Sequence, residues 1–221
     1  MTIHLLVMAK APVAGRVKTR LCPPCTPEAA ARIAAAALAD TLDAAGSAPA
    51  VRRTLVVDGD YVPPDGWAIL RQRGSGLAER LSHAFADTAL PGVPALLIGM
   101  DTPQVTANHL AAAAALLAAG TRTGAARAQP PVDAVLGLAT DGGWWALGLR
   151  DPARAAVLRE VPMSTPDTGA RTLAALRGRG LRFGFLPELR DVDTIEDALA
   201  VAPLCATGSR FAAAVPRAVL A

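Results

Sequence analysis

Four cations fall within eleven residues near the start of the chain: Lys10, Arg16, Lys18 and Arg20. They follow Ile3-His4-Leu5-Leu6-Val7, an apolar run that reads as a β-strand, and share their loop with Pro12 and Gly15. A basic, glycine-containing loop at the end of a parallel strand is where α/β proteins hold phosphates. Cations supply charge there, and free backbone N–H groups supply donors. The loop is not a Walker A sequence, because Arg16-Val17 separates Gly15 from Lys18-Thr19, and no G-x-G-x-x-G fingerprint follows. A phosphate-binding loop of another kind remains, beside the plainer reading of a solvated basic loop.

Carboxylates recur at positions that suit a metal. Asp101 follows the apolar run Ala95 to Ile98 and precedes Thr102-Pro103, at the strand end where α/β sheets bind ligands. One carboxylate there suits Mg²⁺ or Mn²⁺, the remaining positions going to water and substrate phosphates; an Asx turn or helix cap is the alternative. Asp191 and Asp193 alternate along an extended segment, so their side chains point the same way and could bring a second ligand. Asp141-Gly142-Gly143-Trp144-Trp145 joins a turn to two tryptophans, which suits holding an acceptor or simply a hairpin with core aromatics. Gln72 to Arg80, containing Gly74 and Gly76, is a second glycine loop entering a helix, with N–H groups for a base or phosphate. Cys22-Pro23-Pro24-Cys25 has redox spacing, but no second pair completes a zinc site, and His4, His83 and His109 lack metal spacing.

The elements that must position these groups alternate. Strands are expected at Ile3–Met8, Thr54–Val57, Trp67–Leu70, Ala95–Ile98, Ala134–Leu138, Trp144–Leu149 and Leu181–Leu186. Helices are expected over Pro27 to Ala45, Leu77 to Thr88, Thr106 to Ala119, Pro152 to Arg159, Thr168 to Arg177 and Thr194 to Val201, with little pattern beyond Pro203. Strands separated by helices of this length predict an α/β fold, a mostly parallel sheet covered on both faces. At 221 residues and 52% hydrophobic content, one large core is expected, and disorder is excluded. A net charge of +3 is too small for bulk nucleic-acid binding. No secretory or membrane-spanning pattern is visible, so a cytoplasmic protein is expected. The alanine-rich helices leave room for a homodimer.

Taken together, several blocks resemble one family. Ala9-Lys10-Ala11-Pro12 with Gly15 to Leu21 is similar to the opening of bacterial DUF2064 proteins. Gly76 to Arg80, Gly99-Met100-Asp101-Thr102-Pro103, Asp141-Gly142-Gly143, Ser164-Thr165 and Asp191 to Asp197 follow in the family's order. Those proteins are nucleotide-diphospho-sugar-transferase-like, include glycosyltransferases of arsenosugar biosynthesis, and are related to the molybdenum-cofactor and phospholactate guanylyltransferases. The resemblance covers about Ile3 to Ala200 and implies a single GT-A domain over residues 1–202, with 203–221 as a tail. Met100, Trp144-Trp145 and Ile195 depart from the usual serine, tyrosine-rich pair and proline; the first two lie beside the acceptor region.

The resemblance and the residues together imply a metal-dependent glycosyltransferase moving a sugar from a nucleotide diphosphate to a small acceptor. A pyrophosphate-releasing nucleotidyltransferase that uses an NTP, and a nucleotide-binding protein without turnover, stand as alternatives. The expected nucleotide-binding set is Ala9, Lys10, Gly15, Arg16, Lys18, Thr19 and Arg20, with Gln72, Gly74 and Arg80. Asp101 and Asp193 are expected to hold Mg²⁺ or Mn²⁺. Asp101, Asp141 and Lys18 are expected to be catalytic, Asp141 orienting or deprotonating the acceptor hydroxyl.

Overall fold

The computed structural model describes residues 3–118 and 132–219. Its elements run β1 (Ile3–Lys10), α1 (Pro27–Ser47), β2 (Ala50–Asp58), β3 (Ala68–Arg71), α2 (Leu77–Asp87), β4 (Ala95–Gly99), α3 (Ala107–Ala118), β5 (Ala134–Leu138), β6 (Trp144–Leu149), α4 (Thr168–Gly178), β7 (Phe183–Phe185), α5 (Ile195–Val201) and α6 (Arg210–Val219). The expected end of the third helix at Ala119 lies outside the described residues. The strands form one seven-stranded sheet in the order β3-β2-β1-β4-β6-β5-β7. Only β6 runs antiparallel to its neighbours. The mostly parallel α/β sheet read from the sequence is therefore present, with one reversed strand inside it.

The strand residues are apolar without polar alternation because both faces are covered. In β1, Leu5 and Val7 join one buried cluster with Leu38 and Leu42 of α1 and Leu110 and Leu117 of α3. Leu6 and Met8 point the other way, into a cluster with Phe85 of α2 and Leu176 of α4. The same period of two divides Leu96 and Ile98 from Leu97 in β4. Helix starts follow the expected chemistry. Thr26 Oγ1 accepts from Ala29 N at 3.2 Å, before Pro27, and Thr194 with Asp197 forms a reciprocal capping box.

Three expectations change. The segment Pro152–Glu160 is a 3-10 helix rather than an α-helix. The late strand shortens to Phe183–Phe185 at the sheet edge. Beyond Pro203 the chain forms α6, whose Phe211 and Val215 are buried against α1 and α5. Phe211, Ala214 and Val215 repeat at helical spacing, and the face they form covers a second apolar face of α1, Ile33 and Ala37. Phe211→Ala is expected to cost about 3–5 kcal/mol of unfolding free energy, read by urea denaturation. A loss below about 1 kcal/mol would show that α6 is not part of the cooperative core.

His4 lies wholly inside, its Nδ1–H donating to Thr88 O at 2.9 Å and its Nε2 accepting from the Thr54 hydroxyl at 2.8 Å. Burial, helped by Arg52 and opposed by the Thr88 carbonyl, holds its pKa below the ordinary imidazole value. The unfolded chain therefore takes up a proton first as pH falls below about 6.5. Stability is full above that value and is lost as pH drops toward the depressed folded pKa. Denaturation midpoints measured from about pH 7 to about pH 5 should fall more steeply than in His4→Asn. Parallel pH profiles in the two proteins would rule His4 out as the cause.

Candidate active site

The basic loop leaves β1 at Lys10 and returns as a short 3-10 turn at Thr19–Leu21. Gly15 makes the reversal with φ 73°, and Lys18 sits in the left-handed region at φ 48°. That conformation carries the Lys18 ammonium inward. It lies 2.6 Å from Asp101 Oδ1 and 3.3 Å from Asp193 Oδ1, and it also donates to the Val192 carbonyl. Burial alone would lower the Lys18 pKa, but the two carboxylates outweigh it and hold it above the usual lysine value. Arg20 reaches the other oxygen of Asp193 at 2.9 Å. Lys10 and Arg16 have no ion-pair partner among the described residues and face the same cavity.

Asp193 comes to Asp101 across ninety-odd residues because the segment 189–193 is laced to two strand ends. Leu189 N donates to Leu138 O and Thr140 N to Leu189 O, tying it to β5. Val192 N then donates to Asp101 O at 2.9 Å, and Gln104 Nε2 to Arg190 O at 2.6 Å. Val192 is buried, so Asp191 and Asp193 turn together to the opposite, open side. There, one carboxylate oxygen from each of Asp141, Asp191 and Asp193 lies within 4.8 Å of the others. Burial, with repulsion from Asp141 and Asp193, raises the Asp191 pKa to about 6. This all-oxygen set, in which Asp193 is paired with Lys18 and Arg20, fits a hard divalent cation such as Mg²⁺ or Mn²⁺.

Two cavities meet at this point. The smaller, about 390 Å³, lies over the basic loop. Of the expected nucleotide-binding residues, Ala9, Lys10, Arg16, Lys18, Thr19, Arg20, Gln72 and Arg80 line it, with Asp101 and Asp193. Gly15 and Gly74 stand outside this lining, each with positive φ in the loop it turns, and the Gly74 carbonyl accepts from Arg80 Nε. Gln72 is held by Ala9 O and Val56 O, at 2.8 and 3.1 Å. The larger cavity, about 720 Å³, contains Asp141, Asp191 and both tryptophans, and shares Asp101, Asp193, Lys10 and Arg20 with the first. Both volumes fall in the range of ligand pockets.

The sequence reading missed two contributors. Asp58, one residue beyond the expected strand Thr54–Val57, ends β2 and pairs with Arg80 at 2.8 Å. Its apolar run closing on an aspartate repeats the pattern of Asp101 and was a usable signal. Leu77, at the start of α2, lines both cavities, and nothing in its helical pattern marked it.

A mostly parallel sheet with one reversed strand, and a strand-end cleft holding cations opposite carboxylates, define a protein of the nucleotide-diphospho-sugar transferase-like fold. The sequence matches the family described as uncharacterized proteins conserved in bacteria, DUF2064, over residues 30–165. That is more than half of the chain, and the chain belongs to this family. It is similar to the crystal structure of a proposed nucleotide-diphospho-sugar transferase from Desulfovibrio desulfuricans G20, with TM-score 0.81, 23% identity and 98% of each chain covered. It is also similar to Rv0371c from Mycobacterium tuberculosis H37Rv in complex with manganese, with TM-score 0.55, 19% identity, and 91% of this chain and 98% of the other covered. A cytidylyltransferase from Leptospira borgpetersenii gives TM-score 0.56 at 12% identity, covering 98% and 93%. At these identities the likeness shows the fold. No curated protein matches the sequence. Among the described residues, no helix is long and apolar enough to cross a membrane.

Proposed function

We propose that the protein is a metal-dependent glycosyltransferase that moves a sugar from a nucleotide diphosphate to a small acceptor hydroxyl. One observation carries this reading. A cation-lined cavity and a second, larger cavity share a rim at Asp101 and Asp193. Lys10 and Arg16, free of carboxylates, take the diphosphate, and Lys18 and Arg20 stand behind it. Asp101 and Asp193, with Asp191 beside them, would hold Mg²⁺ or Mn²⁺, which supplies positive charge to the diphosphate when bound. The acceptor oxygen forms the new bond to the anomeric carbon as the bond to the diphosphate oxygen breaks. Its proton passes to Asp141, and the electron pair leaves with the nucleoside diphosphate, whose growing charge the cations stabilise. The manganese complex of Rv0371c and the sugar-transferase name given to the D. desulfuricans protein support the reading.

Nucleotidyl transfer is the second reading. The cytidylyltransferase likeness favours it, and the same cations would serve a pyrophosphate leaving group. A thermal-shift panel of NDP-sugars and NTPs, with and without Mn²⁺, identifies the donor. A ligand at about 100 times its Kd adds about 2.7 kcal/mol of stability. Product analysis with that donor then decides: a nucleoside diphosphate supports the proposal, and pyrophosphate replaces it with the second reading. Tight binding with neither product leaves a nucleotide-binding protein without turnover.

A further inference from the structure

The two cavities differ in charge. Apart from the shared Lys10 and Arg20, no cation among the described residues lines the larger one. Its own charged groups are Asp141 and Asp191. Met8, Leu81, Leu97, Trp144 and Met163 give it apolar walls. The indole N–H groups are already spent: Trp144 donates to Thr172 Oγ1 at 3.2 Å and Trp145 to Pro187 O at 3.0 Å. Both rings therefore offer surface rather than donors. A phosphate or carboxylate on the acceptor would meet a lining in which four carboxylates, Asp101, Asp141, Asp191 and Asp193, outnumber the two shared cations.

Two hydroxyls of this cavity are unspent among the described residues, the buried Thr102 Oγ1 and that of Ser164. Thr165 Oγ1 donates to Asp167 at 2.6 Å, and Thr168 Oγ1 donates to Pro162 O at 3.1 Å. The neighbouring Ser164, exposed at the open side of the cavity, has no hydrogen-bond partner for its hydroxyl among the described residues and is held at φ 58°. A non-glycine residue there carries backbone strain, which persists only where the surroundings enforce it. Gly142 supplies part of that enforcement. A Cβ at this glycine would fall 1.8 Å from Pro166 O, so the Asp141 turn and the Ser164 loop pack without a gap.

We infer that the acceptor is an uncharged hydroxyl compound with a ring or other apolar body, lying against Trp144 and Met163 with a hydroxyl at Ser164. Phosphorylated and carboxylated acceptors are rejected. This rests on the transferase reading, but it is tested by binding alone, without a donor. Metal-free protein is titrated with phenyl glucoside and with phenyl glucoside 6-phosphate, followed by tryptophan fluorescence, and the pair is repeated with Mn²⁺. The uncharged congener should bind at least about tenfold more tightly. In Met163→Lys, a new cation in the apolar wall should narrow or reverse that preference. Equal or tighter binding of the phosphate by the wild type, or no saturable response to either compound, overturns the inference, and the wild-type comparison holds whether or not the variant folds. Absence of transfer in the product assay, with the binding preference intact, counts against the transferase reading alone.

Discussion

Replacing Asp101 by asparagine is expected to lower transfer by about three orders of magnitude while leaving the fold intact. The backbone at Asp101 is fixed independently of its carboxylate. Strand β4 is paired to β1 and β6, and Asp101 O accepts from Val192 N at 2.9 Å. The side chain is 45% exposed, and Asn has the same shape, so no cavity opens. Lys18 keeps Asp193 and the Val192 carbonyl as partners. The thermal midpoint should therefore move by only a few degrees. What is lost is one negative charge at the rim where the two cavities meet. Steady-state turnover with the identified donor, beside a melting curve, is the measurement. A variant within about fivefold of wild-type turnover would remove Asp101 from the proposed metal site.

Lys18→Met should separate two quantities that a structural residue would move together. Its ammonium lies between Asp101 and Asp193 and stays charged, because those carboxylates hold its pKa above the usual value against the pull of burial. Removing it takes a cation from the proposed diphosphate site, so turnover should fall about 10²–10³-fold. The same removal leaves Asp101 without its counter-ion and Asp193 with Arg20 alone, so Mn²⁺ should bind several-fold more tightly, read by calorimetry. Asp101 and Asp193 are 45% and 39% exposed, so water screens them and the stability loss should be modest. Wild-type turnover in this variant would free Lys18 of any role in transfer. Weaker Mn²⁺ binding would show that lysine and metal do not compete.

Much of the fold was legible because its physics is local. Short uninterrupted apolar runs such as Ala95 to Ile98, bounded by Pro94 and Gly99, suit strands buried on both faces, and Thr26-Pro27-Glu28 combines a cap, a first-turn proline and a dipole-matched acid. The expected strands and helices recur with shifted ends. The helix α6 was not read although Phe211, Ala214 and Val215 repeat at helical spacing; what the sequence could not show is the surface it covers, the second apolar face of α1, more than a hundred and fifty residues away. Gly15 and Gly74 were read as site residues on residue type, and both take positive φ in the two loops that lead to the cavity.

The sequence by itself determined the alternating architecture and the chemical types present: a basic loop after the first strand, and aspartates at strand ends and in the segment 191–193. These follow from hydropathy period and residue type, which need no partner. Only the tertiary structure decided how the charges are shared. Asp141, Asp191 and Asp193 form a cluster, and Lys18 is counter-ion to Asp101. The reason is the lacing of 189–193 between β5 and the loop after β4, a set of backbone hydrogen bonds between distant segments. Side-chain type specifies what a carboxylate can do, while sheet order and loop pairing decide which charge it meets.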